Sequence, residues 1–157
     1  MTKLLGLTAL VFLGLLGQSL CYAGELADAV GAVEKIQDIT KVGVNNRDYG
    51  QALPEMMGAI KKYVRSSKKN PEVAKLIEKI GSQYMDAKSV WDRELYEIET
   101  MLLERENMGD TMEGINLEHK IRIKQIEISD KLSPIWAEAS KDIKKALEVI
   151  EKKKIKW

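Results

Sequence analysis

The stretch Ile98-Glu99-Thr100-Met101-Leu102-Leu103-Glu104-Arg105-Glu106-Asn107-Met108-Gly109-Asp110-Thr111-Met112-Glu113-Gly114-Ile115-Asn116-Leu117-Glu118-His119-Lys120-Ile121 holds the turn about which the chain is organised. Upstream of it, Val73, Ile77, Ile80, Tyr84, Ala87, Trp91, Leu95, Ile98 and Leu102 recur in steps of three and four, which puts them on one face of a helix. Downstream, Leu117, Ile121, Ile128, Leu132, Ile135, Ala139, Ile143, Ala146 and Ile150 draw a second such line. Asn107-Met108-Gly109 closes the first helix, because glycine takes the left-handed conformation of a helix end at little cost. Asp110 with Glu113 has the spacing of a capping box that opens the next. Folded back about Gly109, facing residues have numbers adding to about 219, so that Leu102 meets Leu117, Ile98 meets Ile121, Trp91 meets Ile128 and Tyr84 meets Ile135. Every pair is apolar. The two lines therefore specify an antiparallel hairpin.

Two shorter helices precede it. Leu26, Val30, Val33, Ile36 and Ile39 mark a helix over about 25–42, which Gly43 ends with Val44 as its apolar companion. Asn45 or Asn46 then caps a helix over 46–65 that carries Tyr49, Leu53, Met56, Ile60 and Tyr63 on one line. Gly50 and Pro54 predict a kink or a loose first turn there. Asn70-Pro71-Glu72 starts the third helix, over about 71–107, and the fourth spans 111–153, with Pro134 inside it. Ile121-Arg122-Ile123 and Ile126-Glu127-Ile128 alternate like a strand, but no turn bounds them and the helical line runs through. The fold class is all-α: an antiparallel helical bundle in which the short helix 1–helix 2 hairpin packs on the base of the long helix 3–helix 4 hairpin. At 1.5 Å per residue the long pair reaches on the order of 55–60 Å and the short pair about 27–30 Å. Cover runs out near Trp91, and residues 92–127 should project as a two-helix arm.

The N-terminus reads as a secretory leader. Met1-Thr2-Lys3 supplies one positive charge, Leu4 to Leu16 is an apolar run, and Cys21-Tyr22-Ala23 places small residues where a signal peptidase cuts. Cleavage after Ala23 would leave 24–157 as a single periplasmic or secreted helical domain. An uncleaved anchor is the alternative, though the run is shorter than the roughly 20 residues of a membrane span. Lipid modification of Cys21 would need a smaller residue than Leu20 before it. Cys21 is the single cysteine and Phe12 the single phenylalanine, so the remaining chain relies on aliphatic and methionine packing rather than disulfides. The sequence has 25 Lys plus Arg against 24 acids; loss of Lys3 balances them, which argues against a nucleic-acid partner.

No catalytic constellation emerges, and a non-enzymatic role without cofactor or metal is the expectation. His119 is the single histidine, Glu-x-x-His and CxxCH motifs are absent, and no Gly-rich phosphate loop is present. A b-type haem held by a His–Met pair, or a small hydrophobic ligand between the helices, is an alternative use of the bundle. Glu94 and Glu97, three apart, could share a cation but read as part of a solvated acidic face. Lys152, Lys153, Lys154, Lys156 and Trp157 form a basic tail that either complements a helix C-terminus or touches an anionic membrane surface.

The feature left over is a second apolar line. Ile115, His119, Ile123 and Ile126 cluster opposite the main stripe of helix 4, and Tyr96 and Leu103 lie off the stripe of helix 3. All six fall in the arm, where an apolar surface left in water marks a contact site. Self-association, or another envelope protein, is the expected partner. The plan resembles that of small periplasmic helical chaperones and adaptors, without their Leu-Thr-x-x-Gln repeats or basic arms; the likeness is architectural and carries no residues across.

Overall fold

A computed structural model describes residues 24–41, 46–67 and 69–155. The leader with its Ala23 cleavage point, the Gly43-Val44 turn, and Lys156 and Trp157 lie outside them. Four helices account for nearly all of the described chain: α1 over 24–41, α2 Asn46–Arg65, α3 Pro71–Met108 and α4 Met112–Lys152. The ambiguous Ile121–Ile128 segment is helical. At their lengths of 38 and 41 residues, α3 and α4 run about 57–62 Å, twice the reach of α2.

Ion pairs fix how the helices face one another. Lys35 meets Glu55 at 2.6 Å and Lys62 meets Asp28 at 3.6 Å, which sets α1 and α2 antiparallel in the register expected from their apolar lines. The α2 helix then runs back along α3: Tyr63 Oη accepts from the Asn70 backbone N–H at 3.1 Å, Tyr49 Oη donates to the Tyr84 carbonyl at 2.7 Å, and Asn46 donates to Asp92 at 3.2 Å. That last bond sits at the first residue of α2, one residue past Trp91, so the base ends where the lengths said it would. Between α3 and α4, Glu72 pairs with Lys153, Gln83 with Asp142, Glu94 with Lys131 and Arg105 with Glu118. These four pairs have numbers adding to 223–225, whereas Lys79 with Asp142, Lys124 with Glu97 and Lys124 with Glu94 add to 218–221, so the hairpin keeps about the expected register and the long polar side chains reach along the helices to partners on either side of it.

The core follows the same stripes. Val33, Ile36, Met56, Ile60, Val73, Ile77, Ile80, Leu132, Ala139 and Ile143 are buried together at the base. Towards the tip, burial thins. Trp91, Ile98, Ile121 and Ile128 are the last large apolar side chains to be covered; Leu117 is half-buried and Leu102 is 45% exposed. A buried Ile contributes roughly 1.5–3 kcal/mol, so the outer third of the arm is held by very little and opens locally at low cost.

One expectation needs correction. Thr111, not Asp110, caps α4: its hydroxyl accepts from the Gly114 N–H at 3.2 Å, and Asp110 stands exposed outside the helix. The helix begins at Met112, so the residue before it, Thr111, takes the extended φ −83°, ψ 163° of a cap and Asp110 falls one position too early. Both prolines lie inside continuous helices. Pro54 removes the bond to the Gly50 carbonyl, where a residue without a Cβ leaves the backbone free to yield, and α2 continues to Arg65. Beside Pro134, the Ser133 hydroxyl donates to the Ser129 carbonyl at 2.7 Å, and α4 continues to Lys152.

Candidate interaction surface

Large apolar side chains left in water concentrate on the arm. Among the described residues nine such side chains are exposed, and all but Met85 fall within 92–127: Tyr96 (72%), Leu102, Leu103 (64%), Met108, Met112 (73%), Ile115 (55%), Ile123 (44%) and Ile126 (64%). Every one of the six positions singled out from the sequence is exposed, His119 included. Helical geometry nevertheless divides them between two faces. Tyr96 lies two residues from Glu94 and two from Ile98, both turned towards α4, so about 160–200° of rotation carries it to the far side of α3. Leu103 joins it there. Ile123 and Ile126 stand in the same relation to the buried Ile121 and Ile128, which puts them with Ile115 and His119 on the outer face of α4. The two lines occupy opposite edges of the hairpin. Met112 extends the α4 line by one turn, a residue the sequence pattern hid because it adjoins the turn. Ile115, Glu118, His119 and Arg122 border a shallow hollow on this face.

Inside the arm the surprise is acidic. Glu94, expected on a solvated face, is 2% exposed and receives Lys131 at 2.7 Å and Lys124 at 2.9 Å; Lys124 also reaches Glu97 at 2.5 Å. Lys131 and Lys124 hold the Glu94 carboxyl down to about 2, against the pull of burial. The cation that Glu94 and Glu97 share is thus a lysine ammonium of this chain. A second buried acid, Asp142, answers Lys79 at 2.7 Å and Gln83 at 2.9 Å; burial pushes its carboxyl up, and those two partners together bring it below its ordinary value. The sequence signal was present: Glu94 lies on the line through Trp91 and Ile98, and Lys124 and Lys131 are two turns apart at the facing level.

Where arm meets base, four rings cluster. Tyr49, Tyr84, Trp91 and Trp136 have centroids 5.7–6.2 Å apart in tilted and edge-on arrangements, a geometry favoured by ring quadrupoles. Burial raises both tyrosine hydroxyls, Tyr84 to about 12 and Tyr49 further. Beside the cluster runs an open groove of about 480 Å³ between Thr40 and Lys41 of α1, Trp91, Leu95 and Ile98 of α3, and Ile128, Leu132 and Trp136 of α4. Trp136 was absent from the sequence stripes. His119 stands nine residues from Ile128 toward the tip, outside the groove. Among the described residues, no group of three or more His, Cys, Asp or Glu is placed to hold a metal ion.

The basic tail has a structural occupation. Lys154 adopts φ 49°, Lys154 N–H donates to the Glu151 carbonyl at 2.9 Å and Ile155 N–H to the Ile150 carbonyl at 3.0 Å, the bond pair of a Schellman cap. Ile155 folds back on the core, and Lys153 is tied to Glu72 at 2.6 Å, lowering that carboxyl. Lys152 and Lys154 remain exposed. No helix among the described residues is long and apolar enough to cross a membrane.

These features define an all-α antiparallel helical bundle with a projecting two-helix arm. Set against models of protein families, curated proteins and solved structures, the chain matches none.

Proposed function

We propose that the protein is an exported, non-enzymatic interaction protein of the cell envelope, with residues 1–23 as its leader and the arm as its working surface. The single observation behind this reading is the concentration of exposed large apolar side chains on the arm, on a chain whose base is otherwise covered in the usual way. Apolar side chains lined up along a helix face are unfavourable in water and gain most by meeting another apolar surface. A photo-crosslinking amino acid placed at Tyr96 or Ile123 in the native cell should give ultraviolet-dependent adducts, whereas the same group at Lys144, exposed on the base, should not. Equal adduct yields at all three positions would remove the proposal.

A second reading rests on the aromatic groove. Two tryptophans beside a 480 Å³ hollow suit a small flat apolar ligand. Protein purified from its host would then carry an absorption band beyond the aromatic region, or release the ligand on solvent extraction; clean extracts and a colourless protein would retire this reading.

A further inference from the structure

We propose that the outer face of α4 is a self-complementary seam, on which a second copy of this chain docks antiparallel about a two-fold axis through His119. The inference rests on the reading of the arm as the working surface and names the occupant of one of its two faces.

The seam is Met112, Ile115, His119, Ile123 and Ile126, whose spacings of three, four, four and three read the same in both directions. An antiparallel copy centred on His119 therefore sets Met112 against Ile126, Ile115 against Ile123, and His119 against its own counterpart. Every apolar side chain meets an apolar one. The line stops symmetrically as well: beyond Ile126 the same face continues as Asp130 and Ser133, and before Met112 the helix ends. The edge of α3 has only Tyr96 and Leu103, too short a line to be matched in this way.

Charge agrees on the rim. A two-fold axis perpendicular to the helices brings the same rim of each copy together. Glu118 and Arg122 lie on one rim, joined within the chain at 2.8 Å, and stand one residue before and three after the axis, so each Glu118 comes within about 3 Å along the helix of Arg122 of the second copy, inside the reach of the two side chains. The four groups can close a ring of alternating sign. Lys120, about 100° from His119 on the other rim, remains turned to solvent.

Five positions per copy cover less than the roughly 800 Å² per partner of a standard stable interface, so the association is best caught by a covalent trap. Helices packed about 8–10 Å apart leave facing Cα atoms roughly 3.5–5.5 Å from each other, a span that overlaps disulfide range. In the full chain with Cys21→Ser, His119→Cys should form a disulfide-linked dimer under mild oxidation, about tenfold more than Tyr96→Cys at equal concentration, as effective concentration at a formed contact dictates. Ile115→Cys and Ile123→Cys should each stay largely monomeric, since like positions lie about 12 Å apart along the axis, yet cross-link when mixed in differently sized versions. Self-linking of both single variants with no gain on mixing would mean a parallel pair and overturn the proposal. So would a His119→Cys chain no more cross-linked than Tyr96→Cys. If that failure comes with photo-adducts to a different protein at Ile123, the interaction reading survives without this occupant; if it comes with none at any arm position, both fall.

Discussion

Glu94 and Lys131, thirty-seven residues apart in the chain, join α3 to α4 through a 2.7 Å bond whose carboxylate is 2% exposed and whose ammonium still reaches water. That asymmetry decides what mutation does. Removing the acid frees lysines that can turn to solvent, whereas removing the lysines strands a buried charge. We expect Glu94→Gln to cost about 1–2 kcal/mol, Glu94→Leu to be near neutral, and the pair Lys124→Met with Lys131→Met to cost about 3–5 kcal/mol. Urea denaturation of the three variants orders them; a double lysine variant as stable as Glu94→Leu would contradict the account.

The same pair predicts an acid limb. A carboxyl held at about 2 when folded and near its ordinary 4.5 when unfolded contributes stability that is fully present above pH 4.5 and is lost as pH falls towards 2. Asp142 and Glu72, also lowered, act in the same direction. The urea midpoint should therefore fall between pH 5 and 2, and the fall should be shallower in Glu94→Gln. Equal slopes in the two proteins would remove Glu94 as the source.

Helix number, register and the reach of the arm were legible in the sequence, because apolar side chains spaced three and four apart admit one face per helix, and two such faces admit few offsets. What was not legible came from side chains whose place is set by partners far away in the chain rather than by period. Glu94 sits in the stripe as an apolar residue would, and its burial depends on lysines 30 and 37 positions away, which periodicity alone does not connect. Trp136 lies one residue off the line through Leu132 and Ile135, and only the convergence of α2, α3 and α4 brings the Tyr49 and Trp91 rings against it. Splitting the exposed residues into two faces needed each line to be referred to the buried side of its own helix. The sequence pattern located both lines on the arm without relating one to the other.

The turn makes a sharper test of local geometry. Gly109 adopts φ 59°, ψ −151°, a region open essentially to glycine, and a Cβ on Gly114 would lie 2.5 Å from the Gly109 carbonyl oxygen. Arg105 donates to that same carbonyl at 2.8 Å, so the tip cannot shift freely. Either Gly109→Ala or Gly114→Ala should cost about 1–3 kcal/mol locally. Because the arm beyond Ile98 and Ile121 has few buried groups, the loss should appear as faster amide exchange over 103–118 with little change in global midpoint. A global shift with unchanged tip exchange would show that the arm does not open by itself.

At the other end the chain pays a conformational cost that can be relieved. Lys154 holds a left-handed backbone, disfavoured by its Cβ, in order to return Ile155 to the core beside Leu147 and Ile150. Glycine has no such penalty, and the Lys154 side chain is exposed. Lys154→Gly should therefore stabilise the fold by about 0.5–1 kcal/mol, net of the entropy glycine adds to the unfolded chain; for a domain of this size that raises Tm by about 2–4 °C. Ile155→Ala should act in the opposite sense by losing the packing that the turn exists to secure. Calorimetry on both variants checks the pair. A Lys154→Gly chain that melts earlier than the parent would mean that the lysine side chain, rather than the turn, is what the C-terminus needs.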